Sequence, residues 1–198
     1  MMVYTAYVDE VGYSSLASSV VACCVIFNES SKKITGVKDS KQLTKLKREK
    51  LYEELSKLPH AFGAASSSKI EKMNIFWARF LAMKEAVDKM SKFFNISEVI
   101  VDGNYKIPNL ELKQQEIVKA DEKYWQVGTA SILAKVKRDR AMAKLAKIEK
   151  YSYYDWQNNA GYFSPSHRLG IILHGPTTLH RKSFSYFKYC LTCHNKYQ

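Results

Sequence analysis

The chain opens on a run of β-branched and aromatic residues, VYTAYVD at 3–9, which predicts a strand. Residues 12–15 break it with a turn, and the continuous apolar run at 20–27 predicts a second, well-buried strand. A polar stretch, NESSKKITGVKDSK, follows. Leu43, Leu46, Leu51, Leu55 and Leu58 then recur at helical spacing with charges between them, which predicts an amphipathic helix over 43–58. Residues 61–68 read as a short strand and 74–94 as a long amphipathic helix with Asn74 as its N-cap. The segment 97–102 is a short apolar strand that ends in Asp102, and 116–120 repeats the pattern and ends at Asp121. A third long helix is predicted over 128–148. Ile132, Leu133, Val136, Met142 and Leu145 form its apolar side, and Lys135, Lys137, Arg138, Arg140, Lys144 and Lys147 its basic side. From Tyr151 on the chain is aromatic and loop-like, with a helix around 167–173. Strands mixed with long helices indicate an α/β layer architecture.

Composition narrows the class. The chain has 198 residues, 46% of them hydrophobic and 25% charged, which suits one compact domain with a real core. The formal net charge of +12 favours a polyanionic partner, most often nucleic acid. The basic residues are spread through the chain, which argues against a membrane surface. The chain lacks the run of about 18 apolar residues that a membrane span needs. Its start, MMVYTAYVDE, lacks the basic and apolar regions of a signal peptide, so a cytoplasmic protein is expected. Cys23 and Cys24 lie in the apolar run SSVVACCVIF and read as small core residues. Cys190 and Cys193 form one C-x-x-C with only His194 nearby, short of the four ligands of a structural zinc, so free thiols are expected.

Three strand-like segments end in acids: Asp9 with Glu10, Asp102, and Asp121. Ligands gather at strand ends in α/β sheets, so these carboxylates can converge. Converging carboxylates repel one another and need cations to stay ionised. Oxygen ligands select Mg²⁺ or Mn²⁺, and two such ions about 4 Å apart can hydrolyse a phosphodiester. Each acid taken singly reads better as a turn or helix cap, or as an exposed side chain. Neighbouring strand residues also face opposite ways, so Asp9 and Glu10 share a site only where the strand ends or bends. Spacing leaves a nuclease as one of several readings.

Seven ordered blocks go further. DEVG at 9–12, KDSKQL at 38–43, IEKMNIFWARFLAMKEAV at 70–87, VDGN at 101–104 with KAD at 119–121, TASILAKVKRDR at 129–140, GYFSPSH at 161–167 and GPTTLHRKSF at 175–184 resemble the ribonuclease HII family over nearly the whole chain. The resemblance implies a ribonuclease H-like fold, a mixed, mostly five-stranded sheet flanked by helices with a C-terminal helical extension. It implies a catalytic core over 1–150 and a substrate-binding extension over 151–198 packed on the same domain. It implies an endonuclease that cuts the RNA strand of RNA·DNA hybrids and DNA-embedded ribonucleotides with two Mg²⁺ or Mn²⁺ ions, leaving 3′-hydroxyl and 5′-phosphate ends. Asp9, Glu10, Asp102 and Asp121 carry over as catalytic metal ligands. Tyr162 carries over as the tyrosine that stacks on the sugar after the scissile ribonucleotide. Ser40 and Lys41 resemble phosphate contacts, and Ser131 and Lys135 sit where a helix start can face the backbone. His180 and Arg181 lie in a family block, with stabilisation of the tail as the open alternative to a functional role, and Asp139 reads as an ion-pair partner.

One block departs. Where the family has G-R-G, a loop that senses the 2′-hydroxyl, this chain has Gly12, Tyr13 and Ser14. Tyrosine cannot make the donor fork of arginine, and a serine Cβ crowds a close approach. Two readings stay open: the loop reads the 2′-hydroxyl through Ser14 and backbone groups, or junction preference is altered and longer hybrids are cut. Outside this activity stand a non-catalytic nucleic-acid-binding protein on the same fold and a nuclease acting on DNA junctions. Where the family carries a sliding-clamp peptide it lies at the C-terminus. Tyr186, Phe187, Tyr189 and the tail CLTCHNKYQ do not form that pattern. A monomer is expected.

Overall fold

The structure, a computed structural model, describes residues 2–28 and 30–194. It holds two compact units. The first comprises Met1–Val11, Val21–Ala64 and Arg79–Val136, and the second Gly12–Val20, Ala65–Ala78 and Lys137–Gln198.

A five-stranded sheet forms with strand order β3-β2-β1-β4-β5. The central strand β1 (Tyr4–Val11) pairs antiparallel with β2 (Val20–Phe27) and parallel with β4 (Ile96–Asp102), and β4 pairs parallel with β5 (Lys113–Ile117). β3 (His60–Ala65) lies beside β2 at the opposite edge. The sheet is therefore mixed, as the resemblance implies. β2 is apolar throughout and almost wholly buried. β5, KQQEI, is an edge strand whose polar residues stay largely in solvent. That polarity hides it in the sequence, where the apolar tail of the segment suggests a strand over 116–120. The pairing instead ends at Ile117, and Lys119 turns left-handed (φ 56°) before the short helix α3 (Ala120–Lys123).

On one face of the sheet Cys23, Val25 and Phe27 of β2 pack against Leu55 of α1 (Lys45–Leu55). The same cluster takes in Ala130, Leu133 and Ala134 of α4 (Trp125–Leu145). Burying each large aliphatic or aromatic side chain contributes about 1.5–3 kcal/mol. Phe62 of β3 joins this cluster, so Gly63 faces the other way. There α2 (Ser67–Ser91) approaches so closely that a Cβ on Gly63 would collide with the Ala82 carbonyl oxygen. Asn74 caps a helix as expected, accepting from the Trp77 N–H at 3.2 Å, but the chain is already helical from Ser67. The two pieces meet in a kink at Asn74 (φ 64°, ψ 166°).

The second unit is built from short helices where the sequence suggests mainly loops. A 3-10 segment (Glu149–Tyr154), α5 (Trp156–Asn159), α6 (Pro165–His174) and α7 (Ser185–His194) supply it. Trp156, Tyr154, Ile171, Phe187 and Cys190 close on Leu16, Ala17 and Met142. α6 begins where Ser164 accepts from the His167 N–H, with Pro165 in the first turn. α7 is not anticipated by the sequence, although Phe187 and Cys190 stand three apart and are both buried. Among the described residues no helix is long and apolar enough to cross a membrane.

Candidate metal centre

β1 and β4 run parallel with Val8 opposite Val101. Asp9 and Asp102 therefore follow at the same level, at the carboxyl ends of adjacent strands that lie about 4.8 Å apart. Asp121 arrives differently from the sequence expectation. It sits in the first turn of α3, not at the end of a strand. Asp102 holds it there, accepting from the Ala120 N–H at 2.7 Å and from the Asp121 amide. Asp9, Asp102 and Asp121 each offer an oxygen, and these oxygens lie within 4.8 Å of one another.

Glu10 is not one of these three. It follows Asp9 directly in β1, which stays paired through Val11. It remains electrostatically tied to the centre. Burial pushes its carboxyl up to about 7, Arg79 attracts its charge, and Asp102 repels it. Its own amide donates to Asp9 Oδ1 at 2.7 Å.

The cluster is poorly suited to standing without a cation. Burial, then Glu10 and Asp102, push Asp9 well above the usual carboxylate range, while a hydrogen bond from Ser131 opposes them. Burial, then Asp102 and Asp39, push Asp121 up to about 6. Burial also raises Asp102, against the Ala120 amide and Lys41. The donor set is carboxylate oxygen only, which fits a hard divalent ion such as Mg²⁺ or Mn²⁺. Cys23 pairs with Asp9 across the sheet, but burial raises its thiol and keeps a soft thiolate out of the set.

Ser40, Lys41, Ser131 and Lys135 lie in the same unit. A 3-10 turn (Ser40–Gln42) is set by Asp39, whose carboxylate accepts from the Lys41 N–H at 3.0 Å. Burial opposes the charge of Lys41, but Asp39, Asp9, Asp121 and Asp102 outweigh it and raise the ammonium pKa. Ser131 is buried in the second turn of α4, where its hydroxyl bonds to Asp9 and lies 2.9 Å from the Ser40 hydroxyl, so a side-chain chain runs from Ser40 through Ser131 to Asp9. Lys135 follows one helical turn later and is half-buried. Asp39 and Arg79 are the residues of this centre that sequence reasoning missed. Asp39 was signalled only by its place in KDSKQL.

The other sequence-predicted contacts belong to the second unit. Gly12 (φ 90°) begins a turn in which Ser15 N–H donates to the Gly12 carbonyl at 3.4 Å, and Tyr13 and Ser14 are exposed at its tip. Arg138, assigned by its spacing to the basic face of a helix, is instead buried, because the segment 12–19 covers it. Its guanidinium lies 5.3 Å from the centre of the Tyr162 ring. Arg181 is fully buried, and burial followed by the charge of Arg138 brings it down to about 9. His167 donates from Nδ1 to the Tyr162 carbonyl at 2.9 Å. Its Nε2 takes bonds from Trp156 at 3.0 Å and His180 at 3.1 Å. Both rings are neutral, since burial lowers His167 to about 4 and His180 to about 3. Phe187 is buried in the helical cluster while Tyr186 and Tyr189 are exposed, and residues 195–198 of the tail lie outside the described residues.

Comparison with known proteins places this arrangement. The ribonuclease HII family profile matches residues 6–187. A ribonuclease HII of Pelagibacter ubique is 44% identical over 183 residues, covering 91% of this chain and 95% of its own. The crystal structure of the ribonuclease H2 from Pyrococcus horikoshii superposes with a TM-score of 0.75 at 24% identity, covering 98% of this chain and 99% of its own. The ribonuclease HII in the structure of a PCNA complex from Archaeoglobus fulgidus gives 0.72 at 26% identity, covering 92% and 95%.

Proposed function

The chain belongs to the ribonuclease HII family, and from that premise we propose that it hydrolyses the RNA strand of RNA·DNA hybrids, and DNA at embedded ribonucleotides, at the carboxylate cluster of Asp9, Asp102 and Asp121. It is an endoribonuclease of the ribonuclease H type. The observation that carries the reading is the convergence of three carboxylate oxygens within 4.8 Å at the ends of two parallel strands and the first turn of α3.

Asp9, Asp102 and Asp121 hold the divalent ions, with Glu10 as a further ligand. Two such ions, when bound, supply an activated water and stabilise the leaving oxygen. The residues of the chain do the rest. Lys41 holds a phosphate oxygen of the cut strand, and Ser40 holds another. Ser131 orients Asp9 through its hydroxyl, and Lys135 faces the backbone one turn along α4. Gly12, Tyr13 and Ser14 lie against the ribonucleotide, and Tyr162 stacks on the next sugar. Attack at phosphorus breaks the bond to the 3′ oxygen on the 5′ side of the ribonucleotide. The products carry a 3′-hydroxyl and a 5′-phosphate. Residues 1–150 carry the chemistry and 151–198 extend the substrate-binding surface of the same domain. The working form is a monomer in the cytoplasm, with Mg²⁺ or Mn²⁺ as the ion.

Asp102→Asn tests this. Asparagine can still accept from the Ala120 N–H through its side-chain oxygen, so the fold is retained while one anionic ligand is lost. Cleavage of a hybrid is expected to fall by about three orders of magnitude or more, with duplex affinity unchanged within about threefold. Undiminished cleavage would place the chemistry elsewhere, and a parent protein that binds but never cuts would favour a binding module on this fold.

A further inference from the structure

Two guanidiniums are buried behind the segment 12–19. Arg181 donates from Nη1 to the carbonyls of Gly12 (2.7 Å) and Tyr13 (2.9 Å), and from Nε to that of Ser18 (3.0 Å). Arg138 donates from Nη2 to the Ala17 carbonyl (3.0 Å) and the Ser15 hydroxyl (2.6 Å), and from Nε to the Ser19 carbonyl (3.0 Å). Its Nη1 reaches the Ala160 carbonyl at 2.7 Å. Every acceptor is a carbonyl or the Ser15 hydroxyl, and Arg181 Nη2 is buried with no partner. Glu71 attracts the charge of Arg181 and Asp139 that of Arg138, but burial outweighs both, and apolar packing would hold a loop more cheaply. What the arginines give is direction. A trans peptide unit is planar, with its carbonyl and N–H pointing opposite ways. Fixing the Gly12 and Tyr13 carbonyls inward on Arg181 therefore turns the N–H groups of Tyr13 and Ser14 outward, at the tip where both side chains are exposed. None of these bonds uses the side chain of residue 13 or 14. Gly12 is the position that the arrangement restricts, since it has a positive φ and a Cβ there would collide with the Arg138 side chain.

We propose that Arg181, backed by Arg138, is the positioning residue of the Gly12–Ser15 turn, aiming its main-chain amides at the ribonucleotide independently of the side chains at 13 and 14. This rests on the reading that the turn touches substrate. It explains how the loop keeps its shape with tyrosine and serine at 13 and 14, since none of the bonds that hold it uses their side chains. Lysine keeps the charge of arginine but not the fork that holds two carbonyls at once.

The test uses the full chain with Arg181→Lys, alone and combined with Asp102→Asn. In the Asp102→Asn protein, the amide NMR signals of Tyr13 and Ser14 are expected to shift when a duplex with one ribonucleotide is added. Adding Arg181→Lys removes that response. In the active background, Arg181→Lys lowers kcat on that duplex about ten- to hundredfold, because a displacement of about 1 Å has such an effect. The thermal shift produced by Mn²⁺ stays at its parental value. Unaltered amide responses and parental kcat would overturn the proposal while leaving the substrate reading intact. Amides that ignore the duplex even with Arg181 present would instead overturn the substrate reading, and the proposal with it. If Arg181→Lys does not fold, Arg138→Lys takes the same readouts. Failure of both to fold would make the arginines mere scaffold and overturn the proposal.

Discussion

Asp9 is held in a place where its charge is least welcome. It is buried at the end of a central strand, with Glu10 and Asp102 both raising its pKa. The metal-free centre therefore keeps protons well above the usual carboxylate range, with Glu10 near 7 and Asp121 near 6. These folded values exceed the ordinary ones, so the folded form binds more protons between about pH 4 and pH 7. The stability they contribute is fully present at low pH and lost as pH rises through 6 to 7. A divalent ion binds the deprotonated form and must displace those protons. Affinity for Mg²⁺ or Mn²⁺ is expected to fall as pH drops from 8 to 6. Calorimetric titration at pH 6.5 in two buffers of different ionisation enthalpy should report release of at least about one proton per binding event. Binding with no proton release would show that the carboxylates are already ionised.

At the scale of elements, the sequence showed the strands that deliver Asp9 and Asp102 because each is an apolar run closed by an acid. It did not show how Asp121 arrives. The polar edge strand β5 carries no apolar signal, and the turn that follows depends on Asp102 capping α3, a contact between residues 18 apart. Spacing puts Arg138 on the basic side of α4, because helical spacing cannot tell that a distant segment covers it. The helical tail was hidden for a similar reason, since aromatic residues alternating with polar ones suggest a loop until Phe187 and Cys190 find a common core. The kink at Asn74 was half legible, as a cap but not as a junction of two helices. Close packing of elements yields a sharper expectation. Gly63→Ala would drive a methyl group into the Ala82 carbonyl of α2, where only backbone movement can relieve it. A loss of about 2 kcal/mol or more is expected in urea unfolding, within the range for overpacking. A change under about 0.5 kcal/mol, as for a surface site, would mean that the β3–α2 contact is looser than described.

At the scale of the whole molecule, a net charge of +12 accompanies a centre made entirely of carboxylates. The two serve different ends. On the proposed reading, dispersed lysines and arginines draw in a polyanion without reading its sequence, and the acids hold the ions that the chemistry needs. Mixed-sheet topology agrees with the family's fold, and the carboxylate cluster with the activity that family membership gives. On that reading Tyr13 and Ser14 bear on how a ribonucleotide is found, and the carboxylates on how it is cut. The most direct measurement is cleavage mapping on a DNA duplex containing one ribonucleotide, with Mg²⁺, with Mn²⁺ and with a chelator. The account predicts ion-dependent cutting on the 5′ side of the ribonucleotide, leaving a 3′-hydroxyl and a 5′-phosphate. Cutting that survives the chelator, or that falls on the 3′ side and leaves a cyclic phosphate, would contradict it.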